Sequence, residues 1–106
     1  MKLTPIPDQA LLLSLLRYEP NTGKLYWKPR DLVSFKTPSA GLTWNKRFAD
    51  KEAFTAKRPD GYFGGSINYV NLLAHRVIFK MLHGYDPIQV DHDDQDRSNN
   101  RDYNLI

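Results

Sequence analysis

Asp91 and His92 sit side by side in the stretch VDHDDQDRSNNRDYNLI, residues 90–106, and their types suggest chemistry. Hydrolysis of a phosphodiester needs a cation to stabilise charge on the phosphate and a base to activate water, and an Asp-His pair can supply both needs. Hard cations such as Mg²⁺ prefer oxygen donors, which suits Asp91 and an asparagine carbonyl, while a neutral imidazole accepts a proton near pH 7. Successive side chains on a strand point to opposite faces, so the two residues can share a site only where the strand ends or bends. The polar turn at residues 93–96 can supply that bend. The same residues also read as a solvated acidic turn ahead of a helix cap, and spacing alone does not separate the two readings.

The rest of the chain must hold such a site in place. Its 106 residues are expected to form one domain with a modest core. Fifteen Lys plus Arg against twelve Asp plus Glu give a net charge of +3, which permits nucleic-acid binding without demanding it. The absence of cysteine removes disulfides, thiolate metal sites and cysteine nucleophiles, so any metal must be held by His, Asp, Glu or Asn. The longest apolar run, LLLSLLRY, is too short to cross a bilayer and follows no basic leader. The expectation is a cytoplasmic protein with no membrane association.

Leu11, Leu12, Leu15 and Leu16 recur at helical spacing after Pro7 and Asp8, predicting an amphipathic helix over residues 8–17. Asn21, Thr22 and Gly23 then read as a turn into a strand carrying Leu25, Tyr26 and Trp27, whose bulk belongs to the core. Residues 29–59 show no clear periodicity. RPDGYFGGSINYVNLLAHR predicts a β-hairpin with Asn68 near its tip and Gly64 and Gly65 as bulge or close-approach positions. AHRVIFKMLHG predicts a helix with Ala74, Val77, Ile78, Met81 and Leu82 on one face and Gly84 as its C-terminal cap. Pro87 bars its continuation, and residues 88–90 are expected to form a short strand delivering Asp91 and His92. Residues 98–106 could begin a further helix capped by Ser98 or Asn99.

Other residues compete for functional roles. Lys46, Arg47, Lys57 and Arg58, interleaved with Trp44, Phe48 and Phe54, read equally as a nucleic-acid surface and as a basic loop over an aromatic mini-core. His75 is expected to be a structural histidine bonded to nearby backbone, the rival being a place facing DNA or the site. His83, at the end of a helix where a cation meets the dipole, is given no chemistry.

VDHDDQDRSNNRDYNL is similar to the first half of the HNH endonuclease motif, in the branch common among phage and intron-encoded homing nucleases. Upstream, LLRYEPNTGKLYWKPR, RFADKEAF, DGYF and LLAHRVIFKMLHGYDP also resemble stretches that precede the motif in these proteins. The resemblance implies a small mixed α+β domain with β-hairpins and short helices, ending over residues 88–106 in a partial ββα-metal unit of two strands, a loop and a helix around one divalent ion, Mg²⁺ or Mn²⁺. It implies that Asp91 is a metal ligand, and that His92 is the general base and a candidate second donor to the metal. Asn104, the middle Asn of the motif, would brace the Asp-His loop and orient the base. Arg97 and Asn100 would shape the turn, with Arg97 near a phosphate. DNA would be the substrate.

In the family's pattern an apolar residue, Asn and Gly stand where this chain has Asp93, Asp94 and Gln95. A Gln in place of the turn glycine is expected to strain a position of positive φ. The family's third motif residue, a His or Asn, lies roughly two and a half helical turns beyond the middle Asn, and this sequence ends two residues after Asn104. Three expectations follow: a piece of a longer chain, a natural truncation with a new role, or a site completed by a protein partner or a second copy. An alternative function is a catalytically silent relative that binds and inhibits a host defence nuclease or a DNA-processing complex.

Overall fold

The computed structural model describes residues 4–106. The elements run α1 (Gln9–Leu15), β1 (Leu16–Glu19), β2 (Lys24–Trp27), a 3-10 turn (Leu32–Ser34), α2 (Pro38–Phe48), β3 (Glu52–Ala53), β4 (Ala56–Lys57), β5 (Phe63–Ile67), β6 (Val70–Leu73), α3 (Ala74–His83) and a second 3-10 turn (Asp102–Asn104). The class is α+β. Two antiparallel sheets, β1-β2-β3 and β4-β5-β6, each follow chain order.

The leucine spacing does give a helix, but α1 stops at Leu15 rather than reaching Arg17. Leu16 is extended (φ −131°, ψ 145°) and opens β1, where it faces Trp27 across the ladder. Pairing with β2 buries Leu16 almost completely, a gain that helical periodicity cannot signal. In the connecting turn Gly23 donates its N–H to the carbonyl of Glu19 (2.8 Å) at φ +78°. A Cβ on Gly23 would lie 2.5 Å from the carbonyl carbon of Asn100, so glycine serves both the turn and its close approach to the C-terminal segment.

The segment without visible periodicity contains α2. Thr37 caps it by accepting from the N–H of Ala40 (3.1 Å), and Pro38 begins it. Trp44 of α2 packs edge-on against Trp27 (5.8 Å between centroids), with Phe48 at 5.3 Å and the guanidinium of Arg30 4.2 Å above its ring. These aromatics form a mini-core while Lys46 and Arg47 stay exposed.

The β5–β6 hairpin turns through Asn68 and Tyr69, both at positive φ (49° and 68°), between the paired residues Ile67 and Val70. Two left-handed residues match the twist of the flanking strands. Of the two glycines, Gly65 is the close-approach position: a Cβ there would lie 2.8 Å from the Phe54 ring, whereas one on Gly64 meets only ordinary contacts. β6 runs directly into α3, whose C-terminus is closed by Gly84 at φ +86°. Ala74, His75, Val77, Ile78 and Met81 of α3 are buried; Leu82, expected on that face, lies off it and is 45% exposed.

One hydrophobic cluster joins α1, both sheets, α3 and the C-terminal segment. Leu12, Leu16, Leu25, Ile67, Val77 and Ile78 are its most buried members, and Val90 and Leu105 attach the C-terminal segment to it.

Candidate active site

The C-terminal segment pairs differently from the expectation. No strand forms at residues 88–90, and Ile88 is exposed. Pairing begins at Asp91, which exchanges backbone hydrogen bonds with Ile106 (2.9 and 3.0 Å). His92 faces Leu105 in an antiparallel bridge, and the N–H of Asp93 donates to the carbonyl of Asn104 (2.8 Å). Residues 102–104 make a single 3-10 turn and Leu105 is extended (φ −97°, ψ 115°), so the helix expected after Ser98 does not form there. Burial of Leu105 and Val90 on the core favours this short ladder over helix.

Polar side chains build the loop between the two paired stretches. Asn104 is fully buried: its Oδ1 accepts from the N–H of Asp94 (3.0 Å), and its Nδ2 donates to Asp94 Oδ1 (3.0 Å) and to the carbonyl of Asn99 (2.8 Å). Asp94 also accepts from the N–H of Asp96 (2.8 Å) and from Asn99 Nδ2 (2.7 Å). The Asn99 amide, with the Asp96 N–H and Asn104 behind it, holds the Asp94 carboxyl below its usual range. The Ser98 hydroxyl and N–H do the same for Asp96. Gln95, at the place of the family's glycine, takes φ +64° and donates its N–H to the carbonyl of His92 (2.9 Å).

Asp91 and His92 differ in exposure, as neighbours on a strand should. Both nevertheless border one open cleft of about 620 Å³, together with Tyr62, Asp93, Gln95 and Arg97. Asp91 is exposed and its Oδ1 accepts from Gln89 Nε2 (2.8 Å). His92 is 8% exposed, and its Nε2 lies 2.8 Å from Asn100 Oδ1. An amide oxygen accepts only, so Nε2 donates and Nδ1 keeps the lone pair of the neutral ring. The direct partner of His92 is thus Asn100, while the bonds of Asn104 go to the loop. Asn100 is itself held by the β1–β2 hairpin, since the hydroxyl of Tyr18 donates to its carbonyl (2.5 Å) and Arg101 Nε donates to the carbonyl of Asn21 (2.9 Å). Burial pushes the Tyr18 hydroxyl pKa up to about 12, with the charge of Asp102 adding to the effect.

His75 comes to the same place from α3. It is buried, but its Nδ1 has no hydrogen-bond partner, so the backbone bond expected of it is not made at that atom. Its ring stacks on Tyr62 (4.7 Å, 22°) and lies 5.2 Å from that of His92. Burial lowers its pKa to about 4, aided by the nearby His92 and Arg76 and opposed by Asp60, so the ring is neutral at pH 7. Arg97 closes the cleft: its guanidinium lies 5.0 Å above Tyr62 and donates to the carbonyl of Asp60 (3.0 Å). Lys57 and Arg58 are exposed on and beside β4, with Arg58 paired to Asp60 (3.1 Å); neither they nor Lys46 and Arg47 border the cleft. Tyr62 is the site neighbour that sequence reasoning missed, while His75 lies where its rival expectation, a place facing the site, had it. The only signal for Tyr62 was the turn PDG that precedes it.

A small α+β protein whose C-terminal ladder sets a buried imidazole beside an exposed carboxylate, over an Asn-braced loop, has the parts of a hydrolytic site. Residues 72–106, from β6 to the end of that ladder, match the family model described as HNH endonuclease. No curated protein and no solved structure matches the chain. The family match covers the segment that carries Asp91, His92, Asn100 and Asn104, and it supports a nuclease-like function with DNA as the substrate class and a divalent metal as the usual cofactor. Among the described residues no helix is long and apolar enough to cross a membrane.

Proposed function

We propose that residues 1–106 act as one unit, a metal-dependent DNA endonuclease in which His92 activates water and Asp91 anchors a single Mg²⁺ or Mn²⁺. The observation that carries this reading is the tie between His92 Nε2 and Asn100, which leaves the other ring nitrogen with the lone pair a general base needs.

The donor set suits a mostly hydrated hard cation. Among the described residues no three His, Cys, Asp or Glu side chains converge to hold an ion. Mg²⁺ commonly keeps several waters and takes one or two carboxylates, which Asp91, exposed at the cleft, can provide. When bound, the cation supplies charge stabilisation for the phosphate and the departing oxygen. His92 accepts the proton of the attacking water at Nδ1. Asn100 holds the far side of the ring, Asn104 keeps the loop folded, and Arg97 presents positive charge to a phosphate entering the cleft.

Nicking of supercoiled plasmid by the purified chain should require Mg²⁺ or Mn²⁺, stop with EDTA, and fall by about 10²- to 10⁴-fold in His92→Ala, the usual worth of a general base. Activity that survives His92→Ala removes that residue as the base. A folded wild-type protein that neither binds nor nicks DNA overturns the reading as a whole.

A further inference from the structure

The bridge between His92 and Leu105 and the hydrogen bond to Asn100 fix one edge of the His92 ring. A single hydrogen bond leaves the ring free to tilt about it, so the faces of the imidazole need separate support. The rings beside His92 come from α3 and from the residue just before β5. His75, buried in the first turn of that helix, lies 5.2 Å from His92, and Tyr62, stacked on His75, lies 5.8 Å from it. The guanidinium of Arg97 lies 5.0 Å from the centre of the Tyr62 ring.

We propose that His75 is a positioning residue: its flat ring, stacked on Tyr62 and set against His92, fixes the plane of the His92 imidazole behind the cleft. The inference rests on reading His92 as the base, but its structural half can be measured without catalysis. Nδ1 of His75 has no hydrogen-bond partner and the two imidazoles lie 5.2 Å apart at 57°, so His75 is set against His92 as a ring. A flat apolar ring should therefore replace His75, and a shorter or branched side chain should not. Aromatic contacts of this kind are individually modest, but small misplacements of a reacting group reduce rate steeply.

The experiment compares wild type with His75→Phe, His75→Leu and His75→Ala, using long-range ¹H–¹⁵N spectra of the imidazoles and plasmid nicking at varied DNA concentration. Wild type and His75→Phe should each show His92 as one tautomer protonated at Nε2. His75→Leu and His75→Ala should shift the His92 nitrogens toward the average of two tautomers while the backbone amide spectrum stays dispersed. Their kcat should drop by about tenfold or more at unchanged KM, with His75→Phe within about threefold of wild type. Should His75→Ala fail to fold, the contrast between Leu and Phe, which both fill the space, decides the matter. The inference is overturned if wild type already shows mixed tautomers, if Leu and Ala leave the His92 tautomer and kcat unchanged, or if Phe loses as much as Leu. If His92 responds to these changes but wild type nicks no DNA, the nuclease reading falls and the positioning role stands.

Discussion

The two walls that hold His92 between them, α3 behind the cleft and residues 91–106, are built from different interactions. The wall made by α3 presents His75 from a helix seated on the core through Val77, Ile78 and Met81 and closed by a left-handed glycine. The opposite wall, residues 91–106, has one backbone bridge and takes its shape from side-chain hydrogen bonds of Asp94, Asn99, Asn100 and Asn104. Apolar packing is non-directional and tolerates some rearrangement, whereas a buried amide loses its worth once a partner is missing. The difference teaches that the apolar seat of α3 sets stability, whereas directional hydrogen bonds set the geometry of the proposed site, to which the helix wall adds only the ring of His75.

Breaking the helix wall should have the largest effect on stability. Ile78→Ala removes a fully buried side chain and should cost about 2–5 kcal/mol in a urea titration, while nicking at low temperature survives in the fraction that remains folded. Acid should weaken the same wall. The folded-state pKa of His75 is about 4 against 6.5 for the free group, so the unfolded chain takes up a proton that the folded chain refuses. Stability should fall as pH drops from about 6.5 toward 4, by about 3 kcal/mol at most given 1.36 kcal/mol per unit. A melting series should show this slope reduced in His75→Phe.

Breaking the loop wall separates the two roles. Asn104→Ala strands the N–H of Asp94 and the carbonyl of Asn99 and should cost about 1–3 kcal/mol, less than Ile78→Ala, yet abolish nicking at temperatures where the protein remains folded. If the two variants lose activity only in proportion to stability, the division between walls is wrong. The smallest effect sharpens the comparison in the other direction. Gln95→Gly relieves a left-handed position and should stabilise the loop by about 1 kcal/mol, seen as a small rise in melting temperature with nicking unchanged. A fall would show that the Gln95 side chain contributes more than its backbone strain costs.

Much of this was legible in the sequence. The β5–β6 hairpin with Asn68 at its tip, the helix of residues 74–83 and its Gly84 cap follow from local rules, because a turn and a cap are decided within a few residues. The core phase of α3 failed only at Leu82, on the edge of the buried stripe. α2 was not legible, since its Gly41 is used for close packing on Leu32 and Phe35 and its half-buried aromatics form a mini-core rather than an amphipathic stripe. The short strand expected at residues 88–90 was misplaced because its true partner, residues 104–106, is fixed by a long-range ladder.

The sequence by itself determined the chemistry available here: an Asp-His pair followed by asparagines, without cysteine, and a resemblance to HNH endonucleases that the family match over residues 72–106 supports. Which asparagine holds which group, and that His75 and Tyr62 stand behind His92, only the tertiary structure decided. The physical reason is distance along the chain. Residue types and nearby spacing constrain local backbone and reactivity, but a partner such as Tyr18 for Asn100 or His75 for His92 is chosen by how the core closes, and no local pattern records that choice.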